Sequence, residues 1–253
     1  MGAELVAGAL GRPGGGPLPV LLEPTAEPPD GALVVELPDD GPELLLAERS
    51  GGPGLRLEGP TGRRVLAWQR AVAVAAHLAG ADPTARPAPT EPPGDAAATF
   101  VDGAVTVHAG DWLPAGVETV ADALRALVAP ASAAPTRLAV HAYLDRESDA
   151  SAAVLRPELA RRTGLATTFG WAPRCLAGTG QYDRVGPAGT VICQLTGAAP
   201  EPGGLLAELG DLQCAVAAAE AAALARNGRR VLRLHLTDRV AGLVDVAKAV
   251  EQL

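Results

Sequence analysis

The second half of the chain alternates short apolar runs with longer helical patterns. From Leu138 onward the order is strand, helix, strand, loop, strand, helix, strand and helix. Such runs are typical of parallel strands, because these strands are buried on both faces and a helix must return the chain across the sheet. The sequence therefore predicts an α/β fold with a doubly wound, mostly parallel sheet that is covered by helices.

Turn-forming residues bound the predicted elements of this half. Its strands are predicted at Ala104–His108, Leu138–Leu144, Thr190–Thr196 and Val231–Thr237, and its helices at Val117–Val128, Ser148–Thr163, Leu205–Arg226 and Val240–Leu253. Asn227–Gly228 forms a good C-terminal stop for the helix that precedes it. Asp238 has the side chain and the position of a residue that caps the last helix.

A smaller α/β pattern precedes a proline-rich boundary. Strands are predicted there at Pro17–Glu23 and Ala32–Leu37, with weaker candidates at Leu44–Glu48 and Leu55–Glu58, and a helix is predicted at Val65–Leu78. The run Asp82–Asp95 holds five prolines in fourteen residues, which neither a helix nor a central strand accommodates. We therefore expect two α/β lobes, residues 1–81 and 99–253, joined by a linker over residues 82–98.

The composition argues against several classes of function. The net charge of −8 disfavours binding to nucleic acid or to an anionic membrane. Cys175, Cys193 and Cys214 are far apart and form no CxxC pair, which predicts neither a disulfide framework nor a metal site and suits a reducing compartment. The sequence has no long uninterrupted apolar run and no basic-then-apolar leader. We expect a cytoplasmic protein with no membrane partner, no metal and no cofactor.

The segment Ala166–Pro187 carries the densest group of polar and turn-forming residues. It lies between strand-like runs, and its polar side chains show no helical period. Strand ends in α/β sheets expose backbone N–H groups, so such a segment is a common place for a ligand. A plain connecting loop is an equally good interpretation of these residues by themselves.

Several runs in and around this segment are similar to those of a known family. They are Thr168–Phe169–Gly170–Trp171, Pro173–Arg174, Thr179–Gly180–Gln181–Tyr182, Gly186–Pro187 and Arg233–Leu234–His235–Leu236–Thr237–Asp238. They resemble the C-terminal part of glucose-6-phosphate isomerases, in particular a bacterial branch that also occurs fused behind a transaldolase. The resemblance extends upstream to Gly59–Pro60–Thr61–Gly62 and to the first helix and strand. It implies sugar-isomerase (SIS) type lobes and a sugar-phosphate ligand.

The chain departs from this family at several of the family's polar positions. The family's His-Ser-Thr-Gly-Gln run corresponds to Ala177–Gln181, and its His-Lys-Gly-Gly-Pro run corresponds to Asp183–Pro187. The glutamate that follows the family's Leu-Trp pair is Gln69 in this chain. The first SIS domain, which supplies the family's phosphate site, is expected to be absent. These departures favour loss of the ancestral reaction.

Six residues form the candidate site that the resemblance implies. Glu58, next to the Gly59–Gly62 turn, is the candidate catalytic base, and its alternative is a solvent-facing residue at a strand end. The candidate substrate-binding residues are Arg174, Thr179, Gly180, Gln181 and Arg184. The two arginines could bind a phosphate, or they could form surface ion pairs. For His235 we expect packing or support of a neighbour rather than proton transfer.

These observations lead to one functional hypothesis and two alternatives. We expect a phosphoglucose-isomerase-like protein without the N-terminal phosphate-binding domain, which is a catalytically degenerate or partner-dependent subunit. Its expected partner is a second copy of the chain or a separate enzyme. The first alternative is an active aldose–ketose isomerase with a site shared between protomers. The second alternative is a sensor that binds a sugar phosphate without turnover.

Overall fold

The computed structural model of the protein describes residues 34–36, 44–49, 52–57, 60–78, 97–130, 135–177, 179–185, 189–199 and 204–253. The predicted strand at Pro17–Glu23, the candidate base Glu58 and all of the predicted linker except residues 97 and 98 lie outside these ranges. The sheets and helices below are described within them. The division into two lobes stays a prediction.

The first part of the chain forms a small sheet and one helix. Its strands are β1 (Val34–Glu36), β2 (Leu44–Arg49) and β3 (Gly52–Leu57), and its helix is α1 (Thr61–Leu78). Strand β3 is central, with β1 parallel and β2 antiparallel to it. All three strands overlap the sequence-based predictions, and the helix starts four residues before the predicted Val65.

The second part of the chain contains a six-stranded mixed sheet. The strands are β4 (Phe100–Asp102), β5 (Val105–Ala109), β6 (Arg137–Tyr143), β7 (Ala166–Trp171), β8 (Thr190–Gly197) and β9 (Val231–Leu236). Their order is β4-β5-β9-β8-β6-β7. Strands β6 to β9 are mutually parallel, whereas β5 is antiparallel to both β4 and β9. The predicted α/β fold with a mostly parallel sheet is therefore confirmed.

Helices cover both faces of this sheet. They are α2 (Val120–Val128), α3 (Leu155–Thr163), α4 (Thr179–Val185), α5 (Gly204–Arg226) and α6 (Arg239–Glu251). Helices α2, α3 and α6 pack with the apolar side chains of one face in a single large cluster. Helix α5 packs on the opposite face, where α4 lies against it, and Leu224 of α5 shares a small buried apolar cluster with Ile192 of β8.

Three helices show how local sequence fixes their limits. The predicted helix over Ser148–Thr163 is a 3₁₀ turn (Ala150–Val154) followed by α3, because Pro157 fits only the first turn of an α-helix. Asp238 caps α6 by accepting a hydrogen bond of 2.9 Å from the Ala241 N–H, as predicted. Gly228 follows α5 with a positive φ of 73°, which confirms the predicted stop.

Helix α4 was not predicted, because the sequence pattern indicated a loop over this segment. Its seven residues include Thr179 and Gly180, which are poor helix formers, and show no amphipathic repeat. Such a short helix needs tertiary contacts for its stability. Those contacts come from the side chains of Asp183, which reaches the sheet, and Arg184, which reaches α5.

Strand β6 presents different chemistry to the two faces of the sheet. All seven of its residues are buried. Leu138, Val140 and Ala142 belong to the large apolar cluster, while the alternate positions Arg137 and His141 point to the face of α4 and α5. The fold thus places charged side chains between the sheet and the helices α4 and α5.

No helix in the described part of the chain is long and apolar enough to cross a membrane.

We predict that substitution by alanine lowers the stability of the protein at one buried helical glycine and does not lower it at another. A Cβ at Gly242 in α6 would lie 2.9 Å from Leu236 Cδ2 and 3.2 Å from the Ala104 carbonyl oxygen. At Gly210 in α5 the closest atom would be Ala199 Cβ at 3.4 Å, an ordinary contact. Gly242→Ala should lower the free energy of unfolding by about 1–3 kcal/mol through overpacking. The control Gly210→Ala should leave it unchanged or raise it by up to about 1 kcal/mol.

Urea unfolding of both variants measures this difference. Equal stability of the two variants would contradict the close packing of α6 on β9.

Candidate functional site

A buried ion-pair network fastens α4 to the sheet. The Asp183 carboxylate, on α4, accepts hydrogen bonds from the Arg137 guanidinium and from the His141 imidazole, both on β6. The His141 Nε2 to Asp183 Oδ2 distance is 2.7 Å. Asp183 is fully buried, and Arg137 and His141 are 3% and 2% exposed. We call Arg137, His141 and Asp183 the Asp183 network.

Neighbouring side chains hold Arg137 in place. Its Nη2 group donates to the Thr168 hydroxyl on β7 over 2.8 Å. Its guanidinium also lies over the Tyr182 ring, 5.1 Å from the ring centroid, which is a cation–π distance. A cation that is buried so far from water needs such contacts in addition to one carboxylate.

A second ion pair joins α4 to α5. The Arg184 guanidinium contacts the Glu220 carboxylate through Nη2 and through Nε, the latter at 3.3 Å. Both side chains are buried. Asn227 Nδ2 donates to the Arg184 carbonyl oxygen over 3.3 Å. Consecutive residues of α4 therefore point to different partners, Asp183 to the sheet and Arg184 to α5.

The electrostatics of the Asp183 network stabilise an ionised carboxylate. Burial by itself would raise the pKa of Asp183, but the Arg137 guanidinium and the His141 imidazole outweigh burial and lower that pKa. An ionised carboxylate only accepts hydrogen bonds, so His141 Nε2–H is the donor in this pair. Nearby, burial and then the charge of Glu220 raise the pKa of Tyr143, which stays a neutral phenol.

The histidine and carboxylate together have the chemistry for proton transfer but not the access. His141 Nδ1 has no hydrogen-bond partner among the described residues, and the same is true of the Tyr143 hydroxyl and the Gln194 amide. A His–Asp pair with a free imidazole nitrogen resembles a general base. All these side chains are nonetheless at most 2% exposed, so a substrate reaches them only if α4 or α5 moves away.

Another ion pair, between Arg239 and Asp149, lies at the edge of the sheet where open α/β sheets usually bind their ligands. Strand β7 lies on one side of β6 and β8 on the other, so ligands are expected outside the carboxyl ends of β6 and β8. There Arg239 donates from Nε to the Ala198 carbonyl oxygen over 2.8 Å and from Nη1 to Asp149 over 3.0 Å. The buried Asp149 carboxylate also accepts from the Asp145 N–H. Arg239 and Asp149 therefore occupy part of this edge and are already paired with each other.

The residues predicted for the site have diverse environments. Glu58 lies outside the described residues. Arg174 is exposed in a 3₁₀ turn (Arg174–Ala177) before α4. Thr179 and Gln181 lie in α4, and Gly180 is buried in it, where a Cβ would come within 3.0 Å of Leu176. Arg184 is bound to Glu220, so it forms an ion pair as its alternative interpretation stated, but in the interior rather than on the surface.

Sequence reasoning missed the residues that complete these networks. Arg137 begins the apolar strand β6, His141 lies within it, and Glu220 stands between runs of alanine in α5. A lone charge in a segment that is otherwise buried signals a buried partner. The partner's identity is not readable from the sequence, since it lies 46 residues away for Arg137 and 36 for Glu220. No group of three or more His, Cys, Asp or Glu in the described ranges could hold a metal ion.

No family model, no curated protein and no solved structure matches the chain. The resemblance to glucose-6-phosphate isomerases therefore rests on the sequence motifs alone, and it stays a prediction.

We predict that Asp183→Asn destabilises the protein strongly. The variant keeps the shape of the side chain but leaves the Arg137 guanidinium buried without its counter-charge. The expected loss in the free energy of unfolding is about 3–5 kcal/mol. The matched control is Glu158→Gln, which breaks the exposed ion pair with Arg161 and should change stability very little. Urea unfolding at neutral pH measures both; equal effects would refute the buried network.

We also predict a specific dependence of this difference on pH. Because the pKa of Asp183 is lower in the folded protein, its contribution is complete above the unfolded value of about 3.9 and is lost as the pH falls through the folded value. The stability difference between the wild type and Asp183→Asn should therefore be constant at neutral pH and shrink below about pH 4. A difference that stays constant in acid would show that the carboxylate titrates normally.

Proposed function

We propose that the chain is a phosphoglucose-isomerase-like subunit that does not catalyse isomerisation and acts by assembling with a second copy or with another enzyme. One observation carries the proposal. Asp183 and Arg184 occupy the positions at which the resembled family has histidine and lysine, and both side chains are buried in ion pairs within the chain.

Isomerisation of a sugar phosphate requires groups that are available to the substrate. A base must move a proton between adjacent carbons, and cations must stabilise the phosphate and the enediolate. The Arg184 charge is neutralised by Glu220, and the Asp183 charge is shared between two donors. Moving either side chain toward a substrate would leave a buried charge without its partner, at a cost of several kcal/mol.

Arg174 is the one candidate cation of the segment that is exposed to solvent. A single exposed guanidinium binds a phosphate weakly, because selective ligand sites combine several converging polar groups in a concave pocket. Because Arg174 is a single exposed cation, its presence favours loss of the isomerase reaction over retention of that reaction.

An apolar stripe on α5 supports the part of the proposal that concerns assembly. Leu205, Leu209 and Leu212 are 70%, 47% and 59% exposed. Their spacing of four and three residues places them on one side of the helix. Three large exposed leucines in a row are unusual on a monomer surface and are common where proteins associate. A second copy of the chain is the first partner to be tested.

We predict no interconversion of glucose 6-phosphate and fructose 6-phosphate by the purified chain. A coupled spectrophotometric assay measures this, with an authentic phosphoglucose isomerase as the positive control. Turnover that persists through purification and disappears in Glu58→Gln would overturn the proposal in favour of the active isomerase. Activity that is unchanged in Glu58→Gln would identify a contaminating enzyme, and the prediction would stand.

We predict that light scattering gives a mass above that of one chain and that Leu209→Glu reduces it. A charge in the middle of the stripe would have to be desolvated in an interface, which is costly. The control is Val154→Glu, at a residue that is 62% exposed in the 3₁₀ turn before α3. A wild-type chain that stays monomeric at every concentration would contradict self-assembly, as would equal effects of the two variants.

A further inference from the structure

The polar face of the sheet continues beyond the Asp183 network onto β9 and β5. In the strand register, Gln194 on β8 pairs with Arg233 on β9, and Arg233 pairs with His108 on β5. One step further along the strands, Thr196 pairs with His235, and His235 pairs with Thr106. Paired residues of adjacent strands share a face, so these side chains lie on the same side as α5.

Helix α5 does not extend over the whole of this face. It packs on β6, β8 and β9, where Leu224 contacts Val231. Thr106, His108, Arg233 and His235 are all partly exposed, in contrast to the buried Gln194 and Thr196. We call Arg233, His235 and His108 the cationic patch. It lies on β9 and β5, where the polar side chains of this face are no longer buried.

Arg233 is a partly buried cation on β9. Among the described residues, none gives its guanidinium a hydrogen bond or an ion pair. Burial lowers the pKa of Arg233, and Cys214 opposes this shift only in part. Arginines in this position usually contact a carboxylate or a bound anion.

The two histidines are held beside Arg233 with defined orientations. His235 Nδ1 shares a hydrogen bond of 3.0 Å with the Thr196 hydroxyl, and His108 Nδ1 donates to the Ala97 carbonyl oxygen over 3.3 Å. Burial, followed by the nearby His108, Arg233 and Arg239, lowers the pKa of His235. One guanidinium and two imidazoles are therefore gathered at one place, and all three groups can donate hydrogen bonds.

Other polar groups of the described residues lie close to Arg233 without forming an ion pair with it. Arg239 is already paired with Asp149. Cys214 of α5 lies 3.9 Å from the Gly197 carbonyl oxygen, and burial raises the pKa of its thiol. Asp211 of α5 is exposed and close enough to Cys214 to act on that thiol, but it forms no ion pair with Arg233.

We propose that the cationic patch binds an oxyanion of the phosphate class, with Arg233 as the main contact and His235 and His108 on either side. The planar guanidinium provides two parallel N–H donors to a tetrahedral anion. The imidazoles provide further donors, and Thr196 positions His235. This site is distinct from the Asp183 network and does not depend on the proposed function, since a subunit without catalysis can still bind a phosphate.

Nuclear magnetic resonance of the histidine side chains tests the site in the intact protein. The chain has four histidines, so their imidazole signals are assigned readily by single His→Gln variants. Inorganic phosphate is titrated at constant ionic strength, with sodium chloride as the balancing salt. The signals of His108 and His235 should shift together and saturate. Those of the buried His141 and of His77 in α1 should not move.

A charge-removing variant tests the role of Arg233. Arg233→Gln should weaken phosphate binding by about tenfold or more, because it removes a charge-assisted hydrogen bond. The control Arg161→Gln removes the same charge from an exposed ion pair on α3, and it should leave binding unchanged. If Arg233→Gln does not fold, the wild-type titration still decides the proposal.

Comparison of ligands identifies the source of the anion. Glucose 6-phosphate that binds more tightly than inorganic phosphate would support the site and indicate a phosphorylated sugar as its ligand. Equal affinity would support recognition of the phosphate group alone. Shifts that do not saturate, that sodium chloride reproduces, or that persist unchanged in Arg233→Gln would overturn the proposal.

Discussion

The buried Asp183 carboxylate pairs with Arg137 and His141, and this interaction holds α4 on the face of the sheet that α5 covers. The arrangement of that face depends on it. The seven residues of α4 are too few to form a stable helix alone, and their composition does not favour one. The side chain of Asp183 attaches this helix to the middle of the sheet, while Arg184 attaches it to α5. Burial of each ion pair carries a desolvation penalty, and loss of one partner would leave the other charge buried without compensation. The geometry of the segment is therefore fixed by charge as well as by apolar packing.

This use of charge limits what the segment does chemically. Catalytic groups must be reachable and must have a proton or a charge to give, whereas Asp183 and Arg184 have both been committed to partners inside the protein. The crevice at the carboxyl ends of β6 and β8 is likewise occupied, by Arg239 and Asp149. Further along the same face, Arg233 is a cation for which the described residues provide no acid. On this face of the sheet, the interior charges form ion pairs with one another, whereas Arg233 at the edge of α5 has no ion-pair partner among the described residues.

The sequence predicted the regular elements well and the site poorly, for a physical reason. Strands β6, β8 and β9 appear as apolar runs, and the Asp238 cap and the Gly228 stop follow local rules. Local signals of this kind depend on residues a few positions apart. Helix α4 lacks them, because its stability comes from Arg137 and Glu220, which are remote in sequence. The motif around Thr179–Tyr182 indicated where an unusual structure lies, but not that Asp183 and Arg184 point inward.

A double-mutant cycle between Arg137 and Asp183 tests most directly the claim that this carboxylate serves the fold. The free energy of unfolding is measured for the wild type, Arg137→Gln, Asp183→Asn and the double variant. The account predicts that the two single losses are not additive, with a coupling energy of about 1–3 kcal/mol, because each single substitution breaks the same ion pair and leaves the opposite charge buried without its partner. Additive losses would show that the two residues act independently, and would contradict the claim that their ion pair holds α4 on the sheet.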